Sequence, residues 1–266
     1  MNQTDEIQTV KAILVSDPMK SEAPKTNKCD THGVFESRRI FGSVWSRCPV
    51  CAAEDKVIAD REQAEREELE RQRVWRLRMG EAGIPERFRN RTLTSYAATN
   101  AGQKRALAFA TDYAEQFALV SETGRSAIFC GLPGTGKTHL AIGIALHIMG
   151  LKKSACFTTV QRMIRRAKDS WRKDSEESES DVIAMLVYPD LLIIDEIGVQ
   201  FGSDFEKNFM FDLLNERYEK RRPTILLSNL TAAEVKAFLG ERVYDRLKED
   251  QGSVVSFDWA SHRGAK

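Results

Sequence analysis

Gly131-Leu132-Pro133-Gly134-Thr135-Gly136-Lys137-Thr138 is the stretch on which the reading of this chain turns. It satisfies G-x-x-x-x-G-K-T at every fixed position. Glycines at these places let successive backbone N–H groups turn inward around a phosphate, and a helix that follows adds its positive end. Lys137 should reach the β- and γ-phosphates, and the Thr138 hydroxyl should ligate Mg2+. The context agrees. Ser126–Cys130 is an apolar strand running into the loop, and Thr138–Met149 reads as a helix. Gly131, Pro133, Gly134, Thr135, Gly136, Lys137, Thr138 and the adjoining His139 are therefore the candidate ATP-binding residues.

Toward the C-terminus, Leu191-Leu192-Ile193-Ile194-Asp195-Glu196 is a four-residue apolar run ending in two carboxylates. Such a run reads as a central strand buried on both faces, with its charged end at the sheet's carboxyl edge. Asp195 would hold Mg2+ through its water shell, and Glu196 would polarise the attacking water. Thr224–Ser228 is another buried strand, and Asn229 at its end fits the residue that orients that water. Other elements alternate around these: strands at Ala155–Val160 and Val254–Phe257, and helices at Asn100–Phe117, Met163–Arg172 and Phe205–Glu219. Asp174–Asp181, rich in Ser and Glu, reads as a mobile loop. The alternation implies an α/β fold, a parallel sheet between two layers of helices.

Arg242 and Arg246 stand four apart in Gly240-Glu241-Arg242-Val243-Tyr244-Asp245-Arg246-Leu247 and share a helix face. They could pair with neighbouring acids such as Glu241 or Asp245, or reach the γ-phosphate of a neighbouring subunit. Spacing leaves both readings open. The same holds for Arg162, Arg165, Arg166, Lys168, Arg172 and Lys173, which crowd one stretch with Trp171. Such cations bind phosphates and an aromatic stacks on an unpaired base, yet Glu176, Glu177 and Glu179 are at hand to balance a merely solvated face.

Toward the N-terminus, Gly83-Ile84-Pro85 punctuates the chain and marks a domain boundary. Glu54 to Arg78 is dense in Glu and Arg without Gly or Pro. Its pairs Glu62/Arg66 and Glu67/Arg71 are spaced for a helix. Before it, Cys29-x2-His32 and Cys48-x2-Cys51 are two pairs of soft ligands separated by a short loop, able to enclose one tetrahedral Zn2+. Four protein ligands leave no open position, so the ion would be structural. Phe35, Phe41 and Trp45 alternate there with Arg38, Arg39 and Arg47, a mixture that suits nucleic acid or protein. The expected organisation is a flexible leader (1–27), a zinc-binding module (28–53), a charged helical linker (54–82) and a nucleotide-binding domain (83–266).

Composition narrows the classes. The 266 residues carry 40 basic and 39 acidic side chains, so any nucleic-acid surface must be a local patch. No apolar run approaches the roughly 18 residues of a membrane span. Five cysteines, three of them clustered early, suit metal binding in a reducing cytoplasm better than disulfides. A cytoplasmic protein is expected.

Several stretches together resemble one family, the DnaC-type replicative helicase loaders of the AAA+ superfamily. They are Gly83-Ile84-Pro85-Glu86-Arg87-Phe88, the phosphate loop, Asp190–Gly198, Asn215-Glu216-Arg217-Tyr218, Arg222-Pro223-Thr224 with Ser228-Asn229-Leu230, Glu241–Leu247, and the ending Phe257-Asp258-Trp259-Ala260-Ser261-His262-Arg263. The last resembles the family's aromatic-Trp-x-Ser-aromatic-Arg ending. The resemblance implies a lidless AAA+ P-loop fold, since the chain ends soon after Asn229. It implies self-association through the AAA+ domain and an arginine finger at Arg246, with Arg242 its neighbour. Weak ATP hydrolysis, stimulated by assembly or DNA, is also implied. So is docking of the N-terminal region on a DnaB-type replicative helicase, and single-stranded DNA contact at Arg162, Arg165, Arg166, Lys168, Trp171 and Arg172. Two alternatives share much of this pattern: an IstB-like transposition helper ATPase, and an ATP-gated adaptor that does not hydrolyse.

Overall fold

The structure is a computed structural model, and it describes residues 23–41, 43–79, 83–198 and 203–262. The expected leader lies mostly outside them, as does Arg263. Two compact units are present, one ending at Arg71 and the other beginning at Gln72.

In the first unit, β1 (Lys25–Cys29) and β2 (Gly33–Ser37) form an antiparallel hairpin whose turn separates Cys29 from Gly33. A second small ribbon, β3 (Arg39–Phe41) with β4 (Val44–Trp45), delivers the chain to Cys48. The buried Ser37 donates its hydroxyl to Ser46 O at 2.7 Å, joining the two ribbons. Helix α1 (Pro49–Met79) starts inside the expected zinc module, not after it, so Cys51 lies in its first turn. From Ala52 to Arg71 the helix is exposed, with Glu68 half-buried. Arg61 and Glu65 pair at 3.1 Å, Glu62 and Arg66 at 3.6 Å, while Arg71 turns to Glu68 instead of the expected Glu67. Each such pair contributes only about 0.3–0.5 kcal/mol.

The second unit is the α/β/α layer structure that the sequence pattern implies. A short 3-10 turn at Glu86–Phe88 precedes α2 (Ala101–Glu115) and α3 (Phe117–Thr123). Then come β5 (Ala127–Gly131), α4 (Lys137–Gly150), β6 (Ala155–Thr159), α5 (Val160–Asp169), α6 (Glu179–Val187), β7 (Leu191–Ile197) and α7 (Asp204–Glu219). β8 (Thr224–Ser228), α8 (Ala232–Leu239), α9 (Glu241–Lys248) and β9 (Ser253–Phe257) complete it. The five strands are parallel in the order β6-β7-β8-β5-β9. Strand alternation divides the core. Leu191, Ile193, Phe129, Ile225 and Leu227 face one helical layer with α2 and α4, while Leu192, Ile194, Ile128 and Leu226 face the other.

Two elements differ from expectation. The basic helix begins at Val160, where Thr159 caps it by accepting from Arg162 N, and it ends at Asp169, leaving Trp171 and Arg172 beyond it. The Ser/Glu tract is not wholly a loop, because Ser178 and Asp181 form a capping box that starts α6.

One buried charge ties the second layer together. Arg217 is 0 % exposed and donates to Leu186 O, Val187 O, Pro189 O, Pro223 O and the Thr224 hydroxyl. It links α7 to the end of α6 and the start of β8. Burial pushes the guanidinium down to about 9, which still leaves it protonated at neutral pH.

Candidate functional site

The phosphate loop leaves β5 at the carboxyl edge of the sheet, next to β8, where the crevices of open parallel sheets lie. Its shape depends on glycine. Gly131 has φ +122°, and a Cβ there would stand 2.4 Å from Phe257 O; at Gly136, φ +100°, it would meet the Tyr96 ring at 2.6 Å. Three groups from distant parts of the chain brace the loop. Trp259 donates its indole N–H to Thr135 O at 2.9 Å, the Tyr96 hydroxyl reaches the same oxygen at 3.2 Å, and His262 N donates to Gly134 O at 2.9 Å. Gln103, whose carbonyl oxygen is taken by the Asn100 cap, gives its amide N–H to His262 Nε2 at 2.8 Å.

Lys137 is buried, and its ammonium donates to Gly131 O and Leu132 O at 2.7 Å each. Thr138 Oγ1 donates to Asp195 Oδ2 at 3.0 Å. Asp195 Oδ1 in turn accepts the Glu196 N–H at 2.7 Å. Successive strand residues ordinarily point to opposite faces. Here the β7–β8 register shifts between Ile194 and Ile197, and Glu196 sits at φ +67°. That irregularity turns Asp195 and Glu196 toward the same cleft, the usual use of a strand irregularity beside a reactive site.

The cleft has a volume of about 550 Å3. Lys137, Thr138, His139, Asp195, Glu196 and Asn229 all line it. Pro133, Gly134 and Gly136 of the loop do so too, whereas Thr135 is fully buried behind them. His139 also has a bracing part: its Nε2 donates to Thr92 O at 2.9 Å and its ring meets Tyr96 edge-on at 5.2 Å. Burial lowers its pKa, keeping the imidazole neutral. Arg87, Phe88, Arg91, Ser95, Tyr96, Ala97 and His262 complete the lining, and sequence reasoning gave none of them a role. Arg87, Phe88 and His262 were signalled only through the resemblance of the 83–88 stretch and the terminal Trp-Ala-Ser-His run, and residues 91–97 were not signalled at all.

The arrangement fits a magnesium nucleotide. A hydroxyl and a carboxylate meet at one point, the Lys137 ammonium lies on the loop beside Gly131 O and Leu132 O, and Pro133, Gly134 and Gly136 open the loop backbone onto the cleft where a phosphate would sit. When bound, Mg2+ would neutralise phosphate charge there.

Arg246 and Arg242 lie on α9, away from this chain's own cleft lining. Arg246 Nη1 donates to Asn215 Oδ1, and its guanidinium stands 5.1 Å from the Tyr218 ring centre. Arg242 lies 5.9 Å from the Phe211 ring. Several of the expected DNA-contacting cations are engaged: Arg166 with Glu177 at 2.8 Å, Lys168 with Glu206 at 2.8 Å, and Arg172 near Asp174 at 3.9 Å. Arg162 Nη1 reaches Gly83 O at 3.4 Å, and Arg165 is exposed. Trp171 gives its N–H to Glu179 and packs edge-on against Phe205 at 4.5 Å, yet remains 55 % exposed.

In the first unit Cys29, His32, Cys48 and Cys51 bring four ligand atoms within 4.8 Å of one another. Cys29 Sγ is 3.5 Å from Cys51 Sγ, and His32 Nδ1 is 3.2 Å from Cys51 Sγ and 3.8 Å from Cys29 and Cys48. A tetrahedron with Zn–S about 2.3 Å and Zn–N about 2.0 Å needs ligand separations of roughly 3.4–3.8 Å, so the donor set fits zinc. Backbone N–H groups of His32 and Thr31 help pull the Cys29 thiol down to about 6, while its hydrogen bond to Cys29 pushes Cys51 up to about 12. Glu54 lies 3.5 Å from His32 Nε2. A carboxylate on the far ring nitrogen orients a ligating imidazole, a role that pair spacing did not reveal.

The model of the IstB-like ATP binding protein family matches residues 55–263. The chain belongs to the IstB/DnaC family of AAA+ ATPases. Replicative helicase loader DnaC of Buchnera aphidicola subsp. Schizaphis graminum is 36% identical over 185 residues, 70% of this chain and 74% of that one. DnaC of Escherichia coli K12 is 37% identical over 182 residues, 68% and 73% of the two chains. A crystal structure of the DnaC helicase loader shares the fold with a TM-score of 0.58 at 24% identity, over 65% of this chain and 100% of that one. AMPPCP-bound DnaA from Aquifex aeolicus shares it at 0.54 and 18% identity, over 65% and 51%. Among the IstB/DnaC features, this member also carries a Cys/His cluster that fits a metal, and no described helix is long and apolar enough to cross a membrane.

Proposed function

We propose that this IstB/DnaC-family protein is an ATP-driven loader that binds a DnaB-type replicative helicase and delivers it to single-stranded DNA. One observation carries the reading. The cleft joins Lys137, Thr138, Asp195, Glu196 and Asn229 in a chain that is over a third identical to replicative helicase loaders across some three quarters of their length. Lys137 and the loop amides hold phosphate, Thr138 and Asp195 hold Mg2+, Glu196 accepts a proton from water, and Asn229 orients that water. Arg246 completes the site of the next subunit, which makes hydrolysis weak in a single chain and stronger on assembly. The zinc module and α1 form the helicase-docking arm. The exposed Arg172–Asp174 pair is worth little, so DNA phosphates exchange with Asp174 for Arg172, beside the exposed Arg165 and Trp171, while Arg166 stays in its half-buried two-point pair with Glu177.

The test is reconstitution with a hexameric DnaB-type helicase. Wild-type protein with ATP and Mg2+ should co-purify with the helicase and place it on circular single-stranded DNA, read by unwinding of an annealed strand. Glu196→Gln should bind ATP and helicase but hydrolyse at least about a hundredfold more slowly. Equal hydrolysis by wild type and Glu196→Gln would favour the non-hydrolysing adaptor, and absence of any complex with the helicase would refute the loader.

A further inference from the structure

Helices α7 and α9 meet through a run of facing side chains. On α7, Phe211, Asn215 and Tyr218 recur at helical spacing and so share one face. Arg242, Arg246 and Glu249 recur at the same spacing on α9 and at its C-cap. The two sets pair rung by rung: Arg242 with the Phe211 ring, Arg246 with the Asn215 carbonyl and the Tyr218 ring, and Glu249 with the Tyr218 hydroxyl. This interface holds little of the buried core. Phe211, Asn215 and Arg246 are half-buried, and Arg242, Tyr218 and Glu249 are exposed.

We propose that Asn215 and Tyr218 are positioning residues for the arginine finger Arg246, acting on the active site of the neighbouring subunit. The inference rests on the reading that Arg246 works in trans. A free arginine loses much side-chain entropy on docking at a phosphate. Here Nη1 is held by Asn215 and the guanidinium carbon lies over the Tyr218 ring, so the side chain is ordered before a partner arrives. A guanidinium has five N–H donors, and Asn215 engages Nη1 alone. Tyr218 is itself fixed by its hydroxyl bond to Glu249, which extends the support along α9.

Mixing two inactive chains tests this. Lys137→Ala provides a finger but cannot grip ATP; Arg246→Ala grips ATP but provides no finger. Mixed in equal amounts with ATP, Mg2+ and oligo-dT, they should restore hydrolysis. Adding Asn215→Ala or Tyr218→Leu to the finger-donating Lys137→Ala chain should lower the restored rate roughly tenfold, with the KM for ATP unchanged. Tyr218→Phe, which keeps the ring, should retain most of it. The same substitutions in the Arg246→Ala chain have no finger to position, so the loss should follow the donor chain alone. A merely structural role for this interface would lower the rate from either side. Loss from both sides, no loss, or a gain from the donor side would each overturn the proposal. No restoration by the starting pair, with wild type active, would instead overturn the trans reading beneath it.

Discussion

Thr138 Oγ1 and Asp195 Oδ2 lie 3.0 Å apart, although they come from the first turn of α4 and the end of β7. Only the strand order places them together: β7 and the loop-bearing β5 flank β8 and end at the same edge. The contact marks where a divalent ion would be shared between hydroxyl and carboxylate. Thr138→Ala should therefore weaken ATP affinity in Mg2+ by roughly tenfold, while affinity measured in EDTA changes little. Equal losses in both conditions would show that Thr138 shapes the loop and does not serve the ion.

The irregularity in β7 makes a second prediction. Glu196 occupies the left-handed region, which costs a non-glycine residue about 1 kcal/mol. Glu196→Gly should relieve that strain, raising stability by up to about 1 kcal/mol in denaturant unfolding while hydrolysis falls to background. Glu196→Gln should lose activity without the gain. A destabilised glycine variant would mean that the conformation is set by carboxylate contacts.

The metal cluster belongs to the first unit and can be tested on the full chain. One equivalent of zinc should be retained on purification, and Cys48→Ser should lose it. Glu54→Ala should weaken zinc binding by about tenfold or more, since it removes the partner of His32 Nε2. ATP affinity should be preserved in both variants, because no cluster residue lines the nucleotide cleft. Zinc retention by Cys48→Ser would contradict a four-ligand site.

How far the sequence carried this reading depends on the distance over which each signal acts. The phosphate loop is local, so its glycines and lysine are legible from spacing. Buried strands are legible too, because Leu191–Ile194 and Ile225–Leu227 are apolar on both faces. The start of α6 was written in Ser178-x-x-Asp181 but lay hidden in a tract whose composition reads as a loop. Arg217 entered only as part of the Asn215-Glu216-Arg217-Tyr218 stretch; its burial depends on carbonyls up to 31 residues away. Tyr96, Trp259 and His262 are harder still. They act on Thr135 and Gly134 across up to 128 residues, and no periodicity reports such contacts.

Arg217 gives a stability prediction. Its removal takes a donor from four buried backbone carbonyls and the Thr224 hydroxyl, of which Pro223 O alone keeps a described second donor, the Leu192 N–H. Arg217→Met should cost at least about 3 kcal/mol in urea unfolding, and Arg217→Lys should recover little, because one ammonium cannot reproduce the guanidinium's fork. A small loss in the methionine variant would mean that water replaces the side chain.

The last brace to test is Trp259, since it joins the C-terminal segment to the loop that holds phosphate. Its N–H bonds Thr135 O, its ring lies 4.9 Å from Phe257, and Gly102 leaves room for it on α2. Trp259→Ala removes both packing and hydrogen bond and should destabilise the domain by about 3–5 kcal/mol. Trp259→Phe is more informative, because it keeps most of the bulk and removes only the donor. The Tyr96 hydroxyl still reaches Thr135 O, so the loop should loosen without collapsing. A lost neutral hydrogen bond of about 1 kcal/mol corresponds to roughly fivefold weaker ATP binding, if the bond orders the loop for phosphate. Nucleotide titration beside a thermal melt separates the two effects. Unchanged affinity in a folded Trp259→Phe protein would show that Tyr96 and His262 suffice to keep Thr135 and Gly134 in place.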